Sequence, residues 1–128
     1  MSRDHFVEQD VVDNIVYFLE YNNRYFVNVH GSSFSRNGTP DIITLDKDNR
    51  FLAIEAKVAK RQPKADQLNN ALDILRSGGR WIVAYEDFDL NKIDNHTVKT
   101  LEVEDTDDLN KIELQKYKFY GTTEMILV

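Results

Sequence analysis

Two apolar runs separated by five polar residues constrain this chain more than any other feature: "DIITL" at 41–45 and "FLAIEAK" at 51–57. Both are rich in β-branched or aromatic residues, and the intervening "DKDNR" has the Asp and Asn typical of tight turns. The stretch therefore predicts a β-hairpin. Each run also carries charge that a buried strand would ordinarily lack. Asp41 opens the first, and Glu55 and Lys57 close the second. Residues i and i+2 of a strand share a face, so Glu55 and Lys57 project together while Ile54 and Ala56 face the other way. The hairpin can bring Asp41 beside Glu55. Two carboxylates at that range repel, and both stay ionised cheaply only with a cation between them.

The flanking sequence supplies an α/β frame. In "FVEQDVVDNIVYFLEY" (6–21), Val7, Val11, Ile15, Phe18 and Leu19 recur at helical spacing, with Val12 and Val16 widening the stripe. "YFVNVH" (25–30) reads as a strand and "GSSFSRNG" (31–38) as a loop. Pro63 stands where a first helical residue is expected, ahead of "KADQLNNALDILRS", with Leu68, Ala71, Leu72 and Leu75 on one face. Gly78 and Gly79 end that helix, and "RWIVAYE" (80–86) is apolar enough for a central strand. The order is helix, three strands, helix, strand. Beyond Asp87 the expectations are a strand in "TVKTLEVE", a short helix in "DDLNKIELQKYK" and a last strand in "EMILV". The apolar ending and the Tyr117, Phe119, Tyr120 cluster predict that residues 114–128 pack onto the core or across a dimer interface.

At 128 residues the chain fits one domain, with a core over about 6–86 and an acidic extension over 87–128. No apolar run approaches the ~20 residues of a membrane span, and the N-terminus lacks a signal-peptide core, so a cytoplasmic protein is expected. The absence of cysteine excludes disulfides, thiolate zinc sites and a cysteine nucleophile. The net charge of −6 is concentrated in one block: residues 86–113 hold ten acids against three bases. Elsewhere, Lys57, Lys60, Arg61 and Lys64 form the densest basic cluster, and local field rather than overall sign decides what binds.

Hard oxygen donors without cysteine or clustered histidine suit Mg²⁺ or Mn²⁺ and not zinc. A lysine one strand position beyond Glu55 can orient or deprotonate a water, or neutralise charge building on a phosphate. The plain alternative is a surface salt bridge between Glu55 and Lys57; Asp41 and Gln67, about one turn into the following helix, argue against it. Trp81, Tyr17 and Phe18 are expected in the core. No P-loop and no nucleophile elbow is present.

The combination of "GTPD", of "IEAK" with its acid 14 residues after Asp41, and of a helix bearing Gln67 and followed by "GGRWIVA" resembles the PD-(D/E)xK nuclease superfamily. More narrowly it resembles the VRR-NUC branch, whose stand-alone members occur in bacteriophages, and the related archaeal-type Holliday-junction resolvases. The resemblance covers roughly residues 6–86. It implies a restriction-endonuclease-like α/β core (α-β-β-β-α-β) with a mixed sheet flanked by helices. It also implies a metal held by Asp41, Glu55 and the Ala56 carbonyl, with Lys57 activating the attacking water and Gln67 positioning the water or the lysine. The family's first-helix acid, a further catalytic residue and metal ligand in this resemblance, falls on Glu8, with Glu20 as its competitor. Where the family carries valine or a similar residue before the proline, this chain has Thr39.

The implied activity is metal-dependent endodeoxyribonuclease cleavage leaving a 5′-phosphate, on DNA that is branched by analogy with the resolvases, by a homodimer. Arg36, Lys60, Arg61 and Lys64 are candidate phosphate contacts. The alternatives are a nicking or flap nuclease of the same chemistry, or a non-catalytic DNA- or protein-binding module on the same scaffold.

Overall fold

The computed structural model describes residues 6–29 and 37–128. Helix α1 (Glu8–Tyr21) leads into β1 (Phe26–Asn28), β2 (Ile42–Leu45) and β3 (Phe51–Ala56). Then follow α2 (Ala65–Arg76), β4 (Arg80–Ala84), α3 (Leu90–Asp94), β5 (Lys99–Val103), α4 (Lys111–Leu114) and β6 (Thr123–Leu127). The strands form one mixed sheet in the order β1-β2-β3-β4-β6-β5. β1, β2 and β3 pair antiparallel, β3 pairs parallel with β4, β6 runs antiparallel to β4, and β5 runs parallel to β6. The first six elements follow the expected α-β-β-β-α-β order, in a mixed α/β sheet flanked by helices.

Strand alternation divides the core into two layers. Leu52, Ile54 and Ala56 of β3 join Ile42, Ile82 and Ala84 under α1, whose Val11, Val12, Ile15 and Leu19 are buried there with Ile93 of α3. On the other face, Ala53, Trp81, Val83 and Met125 pack beneath Leu68, Ala71 and Leu72 of α2, with Phe119 against Trp81. Each fully buried Leu or Ile contributes roughly 1.5–3 kcal/mol of transfer free energy. A truncation such as Leu72→Ala should cost about 2–5 kcal/mol. Glu55 shares the α2 face with Ala53, so its carboxylate lies under a helix.

Several local expectations change. Tyr17 is 62% exposed and stacks on Tyr21, while Trp81 is fully buried; the buried stripe of α1 runs through Val11, Ile15 and Leu19 and leaves Tyr17 outside. Val7 is half exposed because it precedes the helix, where its N–H is taken by the Asp10 carboxylate at 2.7 Å. Pro63 lies two residues before the first helical residue, Ala65, and is not itself in the helix. α3 has no counterpart among the expected elements, since Leu90 and Ile93 are its only buried anchors in an acidic stretch.

Residues 114–128 pack onto the core. β6 is an interior strand between β4 and β5, and Phe119 is 1% exposed. Two side-chain amides tie the later segment to α2 and the turn before it. Gln62 exchanges both hydrogen bonds with the Phe119 backbone at 2.8 Å, and Asn69 does the same with Leu109 at 2.7 and 3.2 Å. No helix among the described residues is long and apolar enough to cross a membrane.

Candidate active site

The β2–β3 register pairs Ile42 with Ile54. One step further along the same register, Asp41 stands opposite Glu55, with both side chains on the α2 face. Directly opposed residues have their Cβ atoms about 4.5–5.5 Å apart. The next step sets Pro40 opposite Ala56. Proline has no N–H to return to the Ala56 carbonyl, so the ladder ends there. The Ala56 N–H donates instead to Asp41 Oδ2 at 2.8 Å. The proline-aspartate dipeptide thus turns the strand end into a place where an acid side chain replaces a backbone partner and a carbonyl lacks its ladder donor.

Glu55 is 2% exposed. Its Oε2 accepts Gln67 Nε2 at 3.0 Å, while its buried Oε1 accepts no hydrogen bond. Burial pushes the Glu55 carboxyl up to about 10; the Asp41 charge, a hydrogen bond shared with Asp41 and the Glu8 charge add to it, and Lys57 opposes it. Gln67 is fixed at both ends. Its Oε1 accepts the Lys64 N–H at 2.8 Å, and because that N–H can only donate, Nε2 is the end left for Glu55.

Lys57 lies one residue past β3, where its N–H continues the parallel ladder to Ala84 O at 2.9 Å. Its side chain is nearly buried, and Nζ lies 3.9 Å from Glu8 Oε2 at the first residue of α1. Of the two candidate acids on α1, the fold brings Glu8 to the cluster; Glu20 lies near the far end of the helix and is exposed. Among the described residues no three Asp, Glu, His or Cys side chains close on one point tightly enough to hold an ion by themselves. Glu8 meets Lys57, and the oxygen donors at this end of the hairpin are the Asp41 and Glu55 carboxylates and the Ala56 carbonyl. This hard-oxygen set with one unsatisfied buried oxygen fits a divalent cation of the magnesium or manganese type.

Lys60, Arg61 and Lys64 are exposed on the turn from β3 into α2, on the flank of this cluster. Arg36 lies outside the described residues. A second charged group, at the opposite end of the sheet, has no local signal in the sequence. Arg80 is 1% exposed; its fork holds Glu124 at 2.6 and 2.8 Å, and its Nη1 holds Asp46 at 3.0 Å. A groove of about 380 Å³ between Phe51 and the C-terminal half of α2 also lies at that end, away from Glu55.

No protein-family model matches the chain, and no curated protein matches it. One solved structure similar to it is Hjc, a Holliday junction resolvase from the archaeal hyperthermophile Archaeoglobus fulgidus. It is 23% identical, with a TM-score of 0.46, over 60% of this chain and 66% of that one. The match thus spans just under two thirds of that protein's length.

Proposed function

We propose that the chain is a divalent-metal-dependent endodeoxyribonuclease that hydrolyses DNA phosphodiester bonds, of the PD-(D/E)xK type and within it the VRR-NUC kind. The observation that carries this reading is Asp41 facing Glu55 across the hairpin, with one buried Glu55 oxygen unsatisfied, the other held by Gln67, and the Lys57 charge near enough to act on Glu55. A surface salt bridge would need none of this burial.

Asp41, Glu55 and the Ala56 carbonyl would hold Mg²⁺ or Mn²⁺. When bound, the ion supplies the positive charge that relieves the carboxylate pair and stabilises an attacked phosphate. Lys57 offers an ammonium to the charge that builds on the phosphate oxygens, or moves a proton at the attacking water. Glu8 holds that ammonium turned inward, and Gln67 fixes the Glu55 carboxylate so that its other oxygen faces the reacting atoms. Hydrolysis in this reading leaves a 5′-phosphate. Lys60, Arg61 and Lys64 would hold the DNA backbone without reading sequence. The motif resemblance further suggests branched DNA as substrate, a homodimer that cuts two strands symmetrically, and action in the cytoplasm, that of the host if a phage encodes it.

The test is incubation with duplex, flap, single-stranded and four-way-junction DNA in Mg²⁺, Mn²⁺, Ca²⁺ or EDTA. Metal-dependent cleavage that disappears in Asp41→Asn and in Glu55→Gln is expected, and the preferred DNA separates junction, flap and nicking activities. DNA binding without cleavage in any metal would leave the non-catalytic binding module instead.

A further inference from the structure

Beside the proposed centre lies a notch of about 390 Å³ bounded by Lys60, Tyr85, Glu86, Asp87 and Tyr120. Its place follows from the sheet. Ala56 pairs with Ala84, so Tyr85 stands next to Lys57 one strand across, at the ~4.8 Å spacing of neighbouring strands. The volume falls within the ~300–1,000 Å³ of small-molecule sites.

Each wall has a distinct character. Tyr85 is 4% exposed, and its hydroxyl donates to the Arg61 carbonyl, which fixes its ring. Burial, followed by the charges of Glu86 and Asp87, pushes its hydroxyl up to about 12, so it remains a neutral donor. Tyr120 is 71% exposed on the other side, just before β6. At the rim, Ala59 and Lys60 both adopt positive φ, 52° and 62°, a conformation costly for non-glycine residues. Ala59 N–H is held by Glu86 Oε2 at 3.2 Å. Asp87 is held by the Thr122 backbone and hydroxyl at 2.9 and 2.8 Å.

Inside the notch an exposed aromatic, an ordered aromatic and two carboxylates outweigh the single ammonium of Lys60 at the rim and disfavour a phosphate there. They suit a neutral, planar ligand with N–H groups along its edge. Every unpaired nucleobase has that form, since each offers a π-face and at least one N–H donor. The basic turn before α2 would keep the backbone outside while the base enters.

We infer that the notch receives one unpaired nucleobase of the strand being cut, beside the scissile phosphate, with Tyr120 as its stacking platform. This rests on the nuclease reading above and adds to it the form of the substrate: DNA in which a base near the cut is free to leave its stack.

The test uses the full chain and a splayed-arm DNA in which one abasic residue is stepped through the nucleotides flanking the cut. Binding is measured in Ca²⁺ and cleavage in Mg²⁺. At one position the abasic residue should weaken binding roughly ten-fold, in line with the loss of one stacked base. Tyr120→Ala should weaken binding of intact DNA by about the same factor and abolish the dependence on that position, and Tyr120→Trp should restore both. Equal binding at every abasic position, or an unchanged positional penalty in Tyr120→Ala, overturns the inference. If intact DNA is still cut by the wild type, the notch alone has failed; if the wild type cuts no DNA in any metal, the nuclease reading has failed.

Discussion

Gly38 packs against Asp66 so closely that a β-carbon on it would lie 2.3 Å from the Asp66 carbonyl oxygen and 2.5 Å from its carbon. The obstacle is backbone at the start of α2, which cannot swing aside as a side chain would. Gly38 also has φ +81°, where any other residue is strained by about 1–2 kcal/mol. Three residues on is Asp41, and next to Asp66 is Gln67, so this close approach sets the distance between the two arms of the site. Gly38→Ala should therefore lower divalent-cation affinity as well as the melting temperature. Gly78→Ala is the matched control: φ there is +90°, with nothing within 4 Å. Gly78→Ala should lose only stability, roughly 4–8 °C, and keep its metal titration curve. Equal metal affinity in the two variants would show that Gly38 does not position Asp41.

Glu55 provides a test that needs no DNA. Its folded value of about 10 lies above the ordinary carboxylate value of 4.5, so between those limits the folded protein binds a proton that the unfolded chain has released. Stability in metal-free buffer should therefore fall as pH rises through that window. Glu55→Gln removes the titration and keeps the shape. The variant should melt above the wild type in EDTA, with the gap widening from about pH 5 to pH 9 and closing when Mg²⁺ is added to the wild type. A gap independent of pH would mean that the Glu55–Asp41 pair does not carry the cost.

The site is legible in the sequence because its signals are local. A hairpin places its two ends by register alone, so Asp41 beside Glu55 follows from two short runs and a turn. Gln67 needs only one helical turn more. Longer-range relationships leave no such trace. Arg80 reads as one charge opening an apolar strand, and its partners Asp46 and Glu124 are 34 and 44 residues away. "EMILV" signals a strand, yet nothing in it says that the strand enters between β4 and β5. Gln62 and Asn69 look like ordinary polar residues until their amides are seen standing in for backbone partners of Phe119 and Leu109. Tyr17 shows the opposite error, in which an aromatic next to an apolar stripe reads as core and is exposed.

Lys57 and the exposed basic turn should separate kinetically. Lys57→Ala should lower turnover about 10²-fold or more, as expected for loss of a proton-transfer or charge-stabilising group, and leave the salt dependence of binding nearly unchanged. Replacing Lys60, Arg61 and Lys64 together should weaken binding and flatten the salt slope by about one unit for each phosphate no longer neutralised. Single-turnover rates and binding isotherms across a salt series measure both. An unchanged salt slope in the triple variant would assign those residues to solvent.

Arg80 carries the strongest stability prediction. Its guanidinium joins three parts of the chain: Asp46 at the β2–β3 turn, Glu124 in β6 and the Ile93 carbonyl of α3 at 3.3 Å. Burial works to raise the Asp46 carboxyl, but the N–H groups of Arg50 and Asp48 and the Arg80 ion pair outweigh it and hold the group below its ordinary value. A lowered carboxyl contributes stability above its unfolded value that is lost as pH falls through its folded value. Arg80→Met keeps much of the apolar stem but leaves two acids without their counter-charge, which should cost about 3–5 kcal/mol at neutral pH. The deficit should shrink as pH falls below the ordinary carboxylate range and Asp46 takes up its proton, because a protonated carboxyl needs no cation. Arg80→Lys keeps the charge without the fork and should fall between the two. Urea denaturation across that pH range measures all three proteins. A deficit that stays constant with pH would trace the loss to packing around the arginine stem and remove the ion pairs from the account of how β6 is held in the sheet.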